Sequence, residues 1–355
     1  MRRYRGFMPK YQHIATKLQD EIKSGQLAEG MMLPTEEELT QRFSVSRQTV
    51  RQALAILVDA GLIVKQRGSG SRVRAQQLPP KSGNIAIIAT YISDYIFPGI
   101  LREAQSVFAA NQYSAILSAT RNSVYHERQI LQDLLNKPID GILVEGTKTA
   151  LPNPNLDLYQ KLMQRNIPIV FFNGFYANLP DSVSVYADNF GGGYDLVQHL
   201  LQKGHAAIAG IFKNDDIQGH ERYAGYMTAL RDADRMMPDG SVFWYSTETR
   251  ETLFTEELAR KIAECSAVVC YNDEIAFRLI PFLLQHDIRV PQDVAVVSFD
   301  NSSLSELSPV KITSLSYGGQ SIGHIAAETL LDRIAGKPAE SRTLRWTLIE
   351  KDSSK

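Results

Sequence analysis

From residue 85 onward the sequence repeats one pattern: a short apolar run, a stretch with apolar residues at helical spacing, then another apolar run. Strand candidates are 85–89, 114–117, 141–144, 167–172, 182–186, 207–211, 267–270 and 294–299; helical stretches at 98–110, 125–135, 191–202, 221–232, 255–263, 273–286 and 320–335 fall between most of them. Strands that alternate with helices pair in parallel, because the crossover returns the chain to the same end of the sheet. Roughly 270 residues of this pattern suit two doubly wound lobes, with a ligand held between strand ends.

The residues before this body are of another kind. Residues 76–83 are short, polar and Pro-rich and read as a linker, leaving a head at 1–75 and a body at 84–350. The formal net charge of −1 conceals a segregation. Residues 1–76 carry 13 Lys and Arg against 7 Asp and Glu, a balance of +6, while the remainder carries 25 against 32, a balance of −7. A polyanion is the expected partner of the head alone.

In the head, Ile14, Leu18 and Ile22 mark one face of a first helix at 11–24. Thr35 and Glu38 form a capping-box pattern for a second, ending near Phe43. Ser46 caps a third, which runs through Val50, Leu54, Leu57 and Val58 to Gly61. Arg47, Gln48, Thr49 and Arg51 occupy the exposed start of that third helix, and such side chains at a helix N-terminus suit phosphates and the guanine and adenine edges of the major groove. Residues 62–74 read as a hairpin whose tip, Arg67-Gly68-Ser69-Gly70, is basic. The ordered run LPTEEELTQRFSVSRQTVRQALAILVDAGLIVKQRGSGSRV resembles the winged helix-turn-helix of GntR-family regulators over its full length. The resemblance implies double-stranded operator DNA as partner, with Arg47, Thr49 and Arg51 contacting it from the recognition helix and Arg67 and Gly68 from the wing; Ser46, Gln48, Ser69 and Gly70 flank them. Glu37 stands where some relatives carry Arg; it would accept from cytosine N4 but repel phosphate.

The body resembles the effector domain of LacI-family repressors, related to periplasmic sugar-binding proteins (the type I two-lobed fold). The matching landmarks are Asp188-Asn189 with Gly191-Gly192-Gly193, Lys203-Gly204-His205, Glu221 to Tyr226, Tyr271 to Ala276 and Val290 to Asp300. The resemblance implies effector contacts at Arg222, Asn272 and Asp300; a guanidinium, an amide and a carboxylate suit a polyol whose hydroxyls both donate and accept. Tyr91, Tyr95, Phe97 and Tyr317 are candidates for the sugar's C–H face, and each is equally readable as ordinary core. Glu145 ends an apolar strand, where burial alone does not explain an acid. A GntR-like head on a LacI-like body resembles the arabinose-responsive repressors of Gram-positive bacteria, also in the runs 145–155 and Asp215-Asp216-Ile217-Gln218-Gly219, which brings in Gln218. That likeness implies release from the operator by a small sugar, L-arabinose, and a homodimer, because one head reads only a half-site.

The alternative is a sugar-binding enzyme or a sensor of another class acting on a different pentose or hexose, and the motifs for an enzyme are absent. Gly191 to Gly193 lack the Lys-Ser/Thr of a P-loop, and Ser298 lacks elbow glycines. His199 and His205 have no carboxylate at metal-site spacing, and Cys265 and Cys270 have no companions, so no catalytic set, metal or cofactor is expected. No apolar run reaches membrane length and the start lacks an apolar signal core, so a cytoplasmic protein is expected.

Overall fold

The computed structural model describes residues 9–23, 25–66, 70–74, 81–235 and 238–355. The wing-tip candidates Arg67, Gly68 and Ser69, and linker residues 76–80, lie outside the described residues. The chain divides into two compact units, Met1–Pro80 and Lys81–Lys355.

The first unit is built on α1 (Lys10–Lys23), α2 (Glu36–Phe43) and α3 (Arg47–Asp59), followed by the antiparallel strands β1 (Ile63–Gln66) and β2 (Gly70–Val73). Helix α2 starts where the capping box forms: Glu38 N donates to Thr35 Oγ1 at 3.2 Å, and Thr35 N donates to Glu38 Oε2 at 2.7 Å. Ser44 ends it in the left-handed conformation (φ 50°), and Ser46 Oγ accepts from Thr49 N at 3.3 Å to start α3. Leu18, Leu39, Val50, Leu54, Leu57 and Val73 close one small core. Val50, Leu54 and Leu57 point inward, which turns Arg47, Gln48 and Arg51 outward.

The second unit opens with a first lobe of β3 (Asn84–Ala89), α4 (Phe97–Ala110), β4 (Ser114–Ala119), α5 (Val124–Leu134), β5 (Gly141–Val144), α6 (Leu156–Gln164), β6 (Ile169–Phe172) and β7 (Val183–Ala187). The chain then crosses to a second lobe. That lobe holds α7 (Asn189–Gln202), β8 (Ile208–Lys213), α8 (Ile217–Asp232), β9 (Val242–Tyr245), α9 (Glu256–Ala263), β10 (Ala267–Cys270), α10 (Asp273–Gln285), β11 (Ala295–Phe299), α11 (Ser303–Leu307) and β12 (Thr313–Ser316). Two further crossings bring α12 (Ile322–Ile334) and β13 (Arg342–Leu344) back to the first lobe and β14 (Thr347–Ile349) to the second.

The strand orders are β13-β7-β6-β5-β3-β4 and β14-β12-β11-β10-β8-β9. In each lobe the winding reverses beside the first strand, between β3 and β5 and between β8 and β10, and a ligand crevice opens at such a point. Ile85 and Ile87 join one core with Phe108 and Leu330, while Ala86 and Ile88 face Leu131 and Leu162 across the sheet. Burial on both faces is why these strands read as continuous apolar runs.

The structure departs from the sequence reading at α6, β9, α11, β12, β13 and β14, none of which was expected, and β14 pairs antiparallel to β12. Strand β12 reads TSLS and escapes any search for apolar runs. Its buried hydroxyls are satisfied by partners distant in sequence: Thr313 Oγ1 donates to Lys351 O at 3.1 Å and Ser314 Oγ to Asp273 Oδ1 at 2.7 Å. Helix α8 begins at Ile217, not 221, and thereby takes in Gln218. Cys265 and Cys270 are free and buried.

Candidate ligand cleft and nucleic-acid interface

Polar residues placed just past the strand ends meet between the two lobes. There they line a cavity of about 580 Å³, and all nine candidate effector residues, from Tyr91 to Tyr317, are on its wall.

Arg222 comes from α8 and is 2% exposed. Its Nε donates to Asn189 Oδ1 at 3.0 Å, Nη1 donates to the Tyr271 carbonyl, and Nη2 stands 3.6 Å from Asp300 Oδ1. The guanidinium lies 4.1 Å from the Phe299 ring centre and 4.8 Å from that of Tyr271. It is thus a planar donor held against two aromatic rings. Asp300 follows β11 at φ 94°, a left-handed position that an L-residue holds only when its surroundings force it. Burial raises its pKa, opposed by Arg222 and by the Tyr95 hydroxyl, which donates to Asp300 Oδ2 at 2.6 Å. Tyr95 belongs to the first lobe, so this bond ties the two lobes together; the same hydroxyl accepts from Asp273 N at 3.1 Å.

Asn272 caps α10: its Oδ1 accepts from Ile275 N at 3.1 Å, which leaves the Nδ2 hydrogens for a ligand. Gln218 Oε1 accepts from the Tyr271 hydroxyl at 3.1 Å. On the first lobe Glu145 follows β5 at its switch point. Its Oε2 accepts from Thr90 N at 2.9 Å and from Thr90 Oγ1, and its Oε1 accepts from Asn173 Nδ2 at 3.3 Å. Burial pushes the Glu145 carboxyl up to about 7 against those hydrogen bonds. Tyr317 lies in the second crossing, stacked on Trp346 of the third at 4.5 Å between ring centres. Phe97 is mostly core, 7% exposed and 5.9 Å from the Tyr91 ring centre.

Sequence reasoning missed Asn122, Asn173, Lys213, Asp216, Arg250 and Glu274, which line the same cavity. Asn173 directly follows β6, and Lys213 and Asp216 close β8, so a consistent search for polar residues at strand ends finds them. Arg250 opens a single 3-10 turn, Arg250–Thr252, that carries no such signal. Burial works against the Lys213 ammonium, yet Asp216, Tyr271 and Asp215 outweigh it and raise its pKa. His199, read as structural, meets Ser354 Oγ at 2.9 Å. Among the described residues no cluster of His, Cys, Asp or Glu is arranged to hold a metal ion, and no helix is long and apolar enough to cross a membrane.

On the head, Arg47, Gln48 and Arg51 are exposed along α3. Thr49 is half-buried, its hydroxyl 2.9 Å from Ser46 Oγ, so these two serve the cap as well as the surface. Glu37 stands 3.8 Å from Arg47. Glu36, missed in the sequence, accepts from Arg51 Nε at 2.9 Å and lies 3.9 Å from Lys65 Nζ. Gly70 starts β2 at φ 91°.

A winged helix carried on a two-lobed cleft domain is the build of an effector-responsive transcription regulator. Residues 10–73 match the bacterial regulatory proteins of the gntR family, and residues 197–354 match the periplasmic binding protein-like domain. The chain is 36% identical to an arabinose metabolism transcriptional repressor of Halalkalibacterium halodurans, over 89% of this chain and 88% of that one. It is 35% identical to another of the same description from Geobacillus stearothermophilus, over 92% of each. The crystal structure of the transcription regulator CcpA of Lactococcus lactis covers 77% of this chain and 99% of its own with a TM-score of 0.67 at 23% identity, a likeness of fold. The chain belongs to the family of arabinose metabolism transcriptional repressors. It is a DNA-binding regulator with a sugar-binding-type domain, not an enzyme.

Proposed function

We propose that the chain is a cytoplasmic, homodimeric repressor of sugar-utilisation genes, released from its operator when L-arabinose enters the cleft. In this reading residues 1–75 are the DNA-binding head, 76–83 the linker and 84–350 the body that binds effector and pairs with a second copy. The observation that carries it is convergence: candidate residues scattered from Tyr91 to Tyr317 share one cavity. Arg222, Asn272 and Asp300 come from one lobe and Glu145 from the other.

A sugar hydroxyl both donates and accepts, so it matches a wall that alternates guanidinium, amide and carboxylate. A ligand engaging Glu145 and Arg222 together favours the closed arrangement of the lobes. In a two-fold dimer, closure alters the separation at which two heads are offered to DNA, and a palindromic site demands one separation. The recognition helix contributes Arg47, Thr49 and Arg51, and the wing, with Arg67 and Gly68, adds backbone grip.

The test is calorimetric titration of the full chain with a panel of pentoses and hexoses. Saturable binding of L-arabinose in preference to its epimers is the expected result; preference for another sugar overturns the assignment of effector, and turnover of a sugar overturns the regulator reading. Sedimentation at micromolar concentration is expected to return a dimer.

A further inference from the structure

The cleft is deeper than a single sugar needs. Its volume of about 580 Å³ compares with on the order of 150 Å³ for one close-packed pentose. Side-chain exposure shows a floor and a mouth: Arg222 and Asp300 are 2% and 5% exposed, whereas Glu274 and Arg250 are 24% and 29% exposed. Tyr91, Lys213, Arg250, Glu274 and Asp216 all line this one cavity.

The mouth carries charge but is balanced. Arg250 Nη1 lies 2.7 Å from Glu274 Oε1, and Lys213 is paired with Asp216 and lies 2.8 Å from Asp215. Cations already held by carboxylates do not form a phosphate site; they present directional donors and acceptors to an uncharged polyol. Two buried polar atoms on the lining have no hydrogen-bond partner among the described residues: Arg250 Nε, a donor, on the second lobe and Asn173 Oδ1, an acceptor, on the first. Both atoms have almost no exposed surface, so a hydroxyl group accepting from the one or donating to the other reaches it only when the side chain turns toward the cleft.

We propose that the cleft takes a neutral saccharide of two linked rings, one seated on the floor against Arg222 and Asp300, the other in the mouth against Tyr91 and Arg250. The proposal rests on the sugar-binding reading of the floor and extends it to the class of effector. The full chain is titrated calorimetrically with L-arabinose, with a disaccharide of two arabinose units and with a phosphorylated arabinose. The disaccharide is expected to bind about tenfold more tightly than the monosaccharide, and the phosphorylated sugar no more tightly than the monosaccharide. Arg250→Met is expected to weaken the disaccharide about tenfold more than it weakens L-arabinose. Because Arg250→Met also removes the pair with Glu274, which keeps only Arg278 at 3.4 Å, Tyr91→Phe, which deletes only a hydroxyl, provides a second reading of the same loss. Equal affinity for the two neutral sugars, variants that weaken both alike, or a preference for the phosphorylated sugar overturns the proposal while the floor still binds L-arabinose. Absence of binding by any of the three overturns the sugar reading of the whole cleft, and this extension with it.

Discussion

Glu145 is the residue whose environment makes the most specific demand on solution behaviour. Its carboxyl is 7% exposed, and burial raises its pKa from the ordinary 4.5 to about 7. Between those two values the folded chain holds a proton that the unfolded chain has released, so this group lowers stability as pH rises through that window and costs no more above it. The full effect is at most about 3 kcal/mol. Asp273, raised by burial to about 6, acts in the same sense. In Glu145→Gln the amide stands in for the protonated carboxyl. Urea unfolding of the variant between about pH 5 and pH 8 is expected to show a shallower fall in stability than the parent; parallel curves would contradict this account of Glu145. The acid was legible in the sequence because it closes an apolar strand. That Thr90 and Asn173 are its partners was not, since they become its neighbours only through the β3-β5-β6 order of the sheet.

Arg222 owes its position to two helices that meet backbone to backbone. A Cβ built on Gly193 of α7 would stand 2.1 Å from the Arg222 carbonyl oxygen, and one on Gly225 of α8 would stand 2.0 Å from Phe190 O. Neither contact can be relieved by turning a side chain, so the helices must separate. Gly193→Ala is therefore expected to cost about 1–3 kcal/mol in urea unfolding and to weaken sugar binding, whereas a variant with parental stability and affinity would show that the helix contact does not set Arg222. On the head, the proposed reading places the base-reading side chains on α3. Arg47→Ala is expected to cost about 1–3 kcal/mol on the operator and to relax base preference, read by fluorescence anisotropy at fixed salt; unchanged binding would remove α3 from the groove. Elements of this kind were legible where periodicity or capping was strong, as in α2, α3 and the paired runs at β3 and β10. Strands β13 and β14 are three residues long, and β12 is filled by serine and threonine whose partners arrive from Asp273 and the C-terminal segment. A strand stabilised by distant hydroxyl partners leaves no local hydrophobic trace.

For the molecule as a whole, the proposed regulator couples a basic head to an acidic body through one thermodynamic link. The lobes of the body touch through side chains as well as through the three crossings: Asn122 Nδ2 donates to Asp215 Oδ2 at 3.2 Å and to Thr247 Oγ1 at 2.6 Å, and Ile217 N donates to Thr149 Oγ1 at 3.0 Å. A ligand that engages both lobes biases the relation between them, and the operator, in the proposed dimer, biases it the other way. Such a coupling is typically 1–3 kcal/mol and is reciprocal. The most direct measurement is a paired one on the full chain: operator affinity with and without saturating L-arabinose, and L-arabinose affinity with and without operator, for the parent and for Arg222→Ala. The account predicts that each ligand weakens the other by the same factor, about 5- to 150-fold, and that Arg222→Ala binds operator normally but loses the response. Equal operator affinity with and without the sugar, or release of Arg222→Ala as readily as the parent, would contradict it.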